Sequence, residues 1–316
     1  MRKERLLNLL KVCFSLALLV LLLKQVGWQQ TLETLSKTRL SYLAAAFVLY
    51  LVGIVVRAYR WQILLSALRM DIPLTRLTAL YFVGTFFSSF LPTGIGGDVV
   101  RVYELSKQSK RPIESVGTVL LDRATGLLVL FLIALMVLLF SYKLIAPKVA
   151  ATILILCLGS WAGLGLVLRR DWLERWGLLR IMDKIKQLRE LYESVHACGP
   201  KAIGGALAIS LAFNVLLIAV NYLIALSLRV EIPLWYFLLF IPLISFLLVL
   251  PISLSGLGVR EGGYVYLFAQ AGVSAPLALA MSLLFYALNV ASGLIGGVLY
   301  AFEGVRGYVE DRGLVQ

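Results

Sequence analysis

A chain of 316 residues that is 60% hydrophobic and only 15% charged, with a mean hydropathy of +0.91, lies far from soluble-domain composition and reads as an integral membrane protein. Its net charge of +13 gathers at the ends of apolar runs, where cations face anionic headgroups; no basic, aromatic-laced polar domain is present, which excludes nucleic-acid binding. Three scattered cysteines (Cys13, Cys157, Cys198) and one histidine (His196) exclude a disulfide framework and argue against zinc or haem, so no metal or cofactor is expected.

Eight apolar segments follow one another at 6–23, 42–65, 77–91, 116–140, 149–168, 202–228, 234–250 and 277–300. A helix needs about 20 such residues to cross a bilayer. The cationic start MRKER places the N-terminus in the cytoplasm, and the first run, too long for a signal core and lacking a small-x-small site, reads as a retained helix. The second run returns with Arg57 and Arg60 near its cytoplasmic end, where they are expected to snorkel to headgroups, with recruitment of anionic lipid into a cavity as the alternative.

The run 77–91 ends in LPTGIGGDVVR (91–101). A full crossing there would carry Arg101, Lys107, Lys110 and Arg111 to the outside, against the charge rule. A re-entrant hairpin, broken at 92–97 and returning through 98–108, keeps them cytoplasmic; proline lacks an N–H and glycine accepts unusual backbone angles, so the break is chemically reasonable. Crossings at 116–140 and 149–168 come next. The polar segment 169–201 holds eight cationic and five acidic residues, which places it in the cytoplasm; its apolar Trp172, Trp176, Ile181, Ile185, Leu188, Tyr192 and Val195 recur at helical spacing, the pattern of an amphipathic helix on the inner leaflet. After a crossing at 202–228, a second hairpin enters at 234–250, breaks at 251–263 and returns over 264–271; the run 277–300 ends in a cytoplasmic C-terminus.

The two broken stretches are copies. LPTGIGGDVVR (91–101) matches LPISLSGLGVRE (250–261), and upstream LRMDIPL (68–74) matches LRVEIPL (228–234), an offset of about 160 residues. Three full crossings separate the copies, so they face opposite ways. The expected fold is therefore an all-α integral membrane protein of inverted repeats, with about six full crossings and two re-entrant hairpins. It forms a single transmembrane domain over 1–316, repeat one covering about 41–141 and repeat two about 202–302.

Candidate binding residues cluster at the breaks, because ionisable groups at membrane depth are costly and mark pathways. Asp98 and Arg101, three apart on one helix face, read as a phosphate grip or as an ion pair pinning the hairpin. Arg260 and Glu261 hold the matching place; adjacent residues point apart on a helix, so a cross-repeat arrangement, Arg260 near Asp98 and Glu261 near Arg101, is one expectation. Gly94, Gly96, Gly97, Gly256 and Gly258 would offer backbone N–H groups to an anion, or serve packing. Asp122 and Arg123 either extend the polar path or tie the third crossing to the first hairpin. Asn214, Asn221 and Asn289 read as interhelical hydrogen bonders, and Gly293, Gly296 and Gly297 as close helix packing.

The blocks SFLPTGIGGDVVRVYELSK, DRATG (122–126) and LPISLSGLGVREGG resemble the signature of the lysylphosphatidylglycerol synthase transmembrane-region family, also called flippase-like or UPF0104 proteins, over about 6–300. The multiple peptide resistance factors carry this region fused to an aminoacyl-transferring domain. The resemblance implies movement of phospholipids or lipid-linked headgroups between leaflets of the inner membrane. Only about 16 residues follow Tyr300, so synthesis of an aminoacylated lipid by this chain alone is not expected. No catalytic residue is assigned: a membrane-embedded transferase is the alternative, yet no histidine, cysteine or serine has an evident activating partner. Membrane lipids are the expected partners; a separate lipid-modifying enzyme and further copies of the chain are left open.

Overall fold

The computed structural model describes residues 28–90, 96–141, 146–169, 185–249 and 256–311, with no side chain described beyond Phe302. The expected first helix at 6–23 lies outside the described residues, as do 92–95 of the first break, 251–255 of the second, and 170–184. Regular structure among the described residues is helical: α1 (Trp28–Ser36), α2 (Leu40–Ala67), α3 (Leu74–Phe90), α4 (Gly96–Ser109), α5 (Pro112–Ser141), α6 (Pro147–Leu168), α7 (Lys186–Ala197), α8 (Gly199–Ser227), α9 (Leu234–Val249), α10 (Val259–Ala269) and α11 (Ala275–Asp311). Five stretches, Leu40–Ala67, Pro112–Phe140, Pro147–Gly165, Gly199–Ser227 and Ala275–Phe302, are long and apolar enough to cross a membrane, at the positions of five expected crossings. Phe140, Leu139 and Ile155 stand exposed on these helices, as lipid-facing side chains do.

The duplicated LRMDIPL and LRVEIPL segments build the same stop signal twice. After α2, Arg69 takes a left-handed conformation (φ 56°) and the Met70 amide donates back to the Leu65 carbonyl at 3.0 Å. After α8, Arg229 does likewise (φ 58°) and the Val230 amide donates to Ala225 at 2.9 Å. Both satisfy carbonyls orphaned at a helix C-terminus, and Pro73 or Pro233 then pre-sets the next helix start.

Each copy continues as a hairpin. Gly97 of α4 packs on Gly84 and Ser88 of α3, Arg76 near the start of α3 reaches Glu104 at 3.7 Å, and Arg111 beyond α4 donates to the Leu68 carbonyl at 3.0 Å. Successive contacts run in opposite chain directions, so α4 returns to the side from which α3 entered. The second hairpin repeats this: Gly256 meets Leu248, Gly263 meets Ile244, and Phe268 packs on Phe240 and Phe237. At about 1.5 Å per residue the 17 residues of α3 and the 16 of α9 reach roughly 25 Å, short of a hydrocarbon core of about 30 Å. Neither helix is as long as the five that are long and apolar enough to cross.

The first helices of the two copies, α2 and α8, lie side by side and antiparallel: the Arg39 amide donates to Ser227, Gly53 faces Phe213, Gly205 faces Ile63, and Cys198 approaches Leu64. Equivalent helices running in opposite senses are what inverted copies require. Exchange of partners completes the arrangement, since α11 of the second copy packs on α3 of the first and α5 of the first packs on α9 of the second. Gly293 and Gly296 bring α11 against the α3 backbone at Phe86 and Phe82, the close packing expected of them.

The described part of the 169–201 segment, α7, packs against α5: Tyr192 and Ser194 are buried, and Gly117 of α5 takes the Ser194 side chain. Trp172, Trp176 and Ile181 fall outside the described residues.

Candidate functional site

The first charged cluster centres on Asp122 of α5, which is 1% exposed. Its carboxylate accepts hydrogen bonds from Arg60 Nε of α2 at 2.7 Å, from Arg101 Nη2 of α4 at 3.2 Å, and from the Tyr81 hydroxyl of α3 in a very short contact. Arg60 also donates to Ser210 of α8 at 3.0 Å. Arg101 reaches Asp98 at 3.2 Å, and Asp98 accepts a second, very short bond from Arg123 Nε. The Arg101 guanidinium lies over the rings of Tyr81 (3.7 Å) and Trp61 (4.2 Å), so aromatic faces replace part of its lost hydration. Charges this deep persist only when paired and hydrogen-bonded.

Asp98 and Arg101 pair with each other, and Asp122 and Arg123 of α5 each reach the first hairpin. Arg60 does not snorkel: it is 3% exposed and locked into the network. Arg57 does not reach for headgroups either; its guanidinium sits 5.2 Å from the Tyr81 ring and 5.1 Å from Phe213. The physical reason is length, since α2 continues to Ala67, about 10 Å past Arg60, and carries both arginines inward.

The second cluster is built differently from the expectation. Arg260 and Glu261, though adjacent, pair with each other through Nη2 to Oε1 at 2.7 Å, and Ser282 bridges them. The arginine side chain is long enough to fold back along its own helix, so no cross-repeat pair with Asp98 or Arg101 forms. Glu261, fully buried, also accepts the Gly258 amide at 2.6 Å and so caps α10. Gly256 and Gly258 hold φ of 79° and 81°, where a side chain would be strained. Two of the glycine amides are already engaged: Gly258 donates to Glu261 and Gly97 donates to Ser88 at 3.2 Å. Gly96 is buried, and Gly94 lies outside the described residues.

Two cavities result. The first, about 150 Å³, is walled by Arg57, Arg60, Asp98, Arg101, Asp122 and Arg123 together with Tyr50, Tyr81, Gly84, Thr85, Ser88, Gly97 and Asn289. The second, about 240 Å³, has Arg260, Gly256, Ser245, Leu248 and Val249 of the second hairpin facing Ser88 and Ser89 of the first, closed by Phe285, Tyr286 and Asn289 of α11. Ser88, Arg123 and Asn289 line both, so described residues of the two hairpins border adjoining polar cavities that share Arg123. An apolar crevice of about 450 Å³ among α5, α6, α7 and α9 adjoins the second cavity at Val249.

Sequence reasoning missed Tyr81, Trp61, Ser210, Ser282 and Tyr286, which lie within apolar runs where no motif sets them apart; Tyr286 stacks on Arg260 at 4.4 Å. The asparagines behave as expected. Asn214 donates to the Gly126 carbonyl, Asn221 accepts from Tyr264, and Asn289 accepts from Ser89, each joining two helices.

Comparison with known sequences identifies relatives. The chain is 24% identical over 153 residues to a UPF0104 membrane protein from Pyrococcus horikoshii, a match covering 48% of this chain and 44% of that one, so the chain spans under half the length of this relative. The pattern of the lysylphosphatidylglycerol synthase TM region matches residues 8–297. With its apolar spanning helices and this near-complete match, the chain is a multi-pass membrane protein that belongs to the lysylphosphatidylglycerol synthase TM-region family.

Proposed function

We propose that this protein is a lipid translocase of the inner membrane, moving an anionic or aminoacylated phospholipid, or a lipid-linked headgroup, between leaflets through the region shared by the two hairpins. The observation that carries the reading is Arg123, set on the wall of two adjoining cationic cavities whose other walls come from oppositely oriented hairpins. A phosphate dragged bare through hydrocarbon loses its water at large cost; guanidinium groups and hydroxyls at mid-depth replace that water. The acyl chains stay in lipid or lie along the adjoining apolar crevice. Rocking of one repeat against the other then exposes the headgroup to alternate leaflets.

A membrane-embedded transferase would need a free base at the site. The carboxylates there, Asp98, Asp122 and Glu261, are each engaged by a guanidinium, which supports transport over chemistry. The charge pattern of the loops supports a cytoplasmic position for both termini, and a separate lipid synthase or further copies of the chain are compatible partners.

The test is leaflet transfer of a fluorescent phospholipid in proteoliposomes, read by quenching from outside. Arg101→Gln and Arg260→Gln are each expected to slow transfer by about tenfold or more, the order lost with one charge-assisted hydrogen bond, while chromatographic monodispersity is retained. Undiminished transfer in both variants removes the site, and a lipid that emerges chemically altered supports the transferase.

A further inference from the structure

The first cavity has an unequal charge count. Four arginines line it, Arg57, Arg60, Arg101 and Arg123, against two carboxylates, Asp98 and Asp122. Asp122 is shared by Arg60 and Arg101, and Asp98 by Arg101 and Arg123, which leaves Arg57 with no carboxylate among the described residues. Its Nε is buried and donates to nothing in that set, and Arg101 Nε is likewise buried without an acceptor. The count is of the described residues, and 91–95 (LPTGI) and 250–255 (LPISLS) add no ionisable residue to it. The second cavity supplies no spare carboxylate either, since Glu261 is consumed by Arg260 and the Gly258 amide.

Resting on the translocase reading, we infer that the cavity selects headgroups of net negative charge, lipid phosphomonoesters above phosphodiesters, and disfavours aminoacylated headgroups. Two excess guanidinium charges at mid-membrane depth are costly without an anion. A phosphomonoester near two negative charges balances both; a phosphodiester balances one. A lysyl ester of phosphatidylglycerol carries two ammonium groups on one phosphate, so its entry would add positive charge where no carboxylate is available, and like charges brought together in a low-dielectric site repel strongly. Arg57 is the residue that sets this preference, because the other three arginines already hold carboxylates.

The experiment measures transfer of fluorescent phosphatidic acid, phosphatidylglycerol and lysyl-phosphatidylglycerol by the full chain in proteoliposomes, with glycerol 3-phosphate as a soluble competitor. Phosphatidic acid is expected to move fastest, and the lysyl lipid more slowly by at least about tenfold. Arg57→Gln should shrink that ratio by slowing the anionic lipids, and Arg57→Lys, which keeps the charge, should restore it. Equal or faster movement of the lysyl lipid by the wild-type protein overturns the inference while leaving translocation standing, as does a ratio unchanged by Arg57→Gln. Movement of no lipid overturns the translocase reading and the inference with it. Block by glycerol 3-phosphate at the lipid's own concentration upholds anion selection and shows that the phosphate group without acyl chains is enough for recognition.

Discussion

At Asp122, donors from α2, α3 and α4 meet a carboxylate on α5, so one side chain orients four helices. Removing its charge strands Arg60 and Arg101 in a nearly dry interior, and breaking a buried pair in this way costs about 3–5 kcal/mol. Asp122→Asn is therefore expected to lower thermal stability in detergent markedly, whereas Asp98→Asn, at a side chain 13% exposed against 2%, should lower it less. Thermal melts of the two purified variants check this, and equal, small shifts would contradict it. Part of this network was legible in the sequence: Asp98 and Arg101 stand three apart, and charged DR interrupts an apolar run. Tyr81, Trp61 and Ser210 were not, because a hydroxyl or indole inside a membrane helix has no pattern of its own until its neighbour across the bundle is known. Arg57 and Arg60 were misplaced because a charge near the predicted end of a run reads as interfacial; only the true length of α2 shows that they are inside.

Among the elements, α11 against α3 carries the packing that positions the first hairpin. A Cβ at Gly296 would strike the Phe82 carbonyl, and backbone cannot yield as a flexible side chain does. Gly296→Val should therefore separate the two helices at a cost of about 1–3 kcal/mol, and slow transfer by distorting the cavity wall at Asn289, while Gly159→Ala on α6, where nothing lies near, should change neither. Melting and transfer assays on both variants decide the matter. The hairpins themselves were written plainly in the sequence, since proline and glycine in an apolar run of 15–17 residues forbid a straight crossing, and the LRxxIPL segments announced matching helix stops. What the sequence did not show was the use made of the glycines. Gly97 permits close approach of α4 to α3 and Gly258 a left-handed turn capped by Glu261, roles that depend on partners distant or on backbone angles rather than on composition.

For the whole molecule, the antiparallel pairing of α2 with α8 and the exchange of α11 and α5 between copies create an interior with two equivalent halves of opposite orientation. The proposed translocation requires such a body to pass between two related arrangements of similar energy, one opening to each leaflet. The inversion was deducible from an odd number of intervening crossings. The unequal charge of the halves was not, because Arg260 and Glu261 neutralise each other locally whereas the first copy recruits Arg57 and Arg60 from α2. The most direct test of the account is the accessibility of Ser88, which lines both cavities. In a background with Cys13, Cys157 and Cys198 replaced, Ser88→Cys in oriented vesicles is treated with a membrane-impermeant thiol reagent from either face. The account predicts modification from both faces, slowed from each by added anionic lipid; modification from one face only, indifferent to lipid, would contradict it.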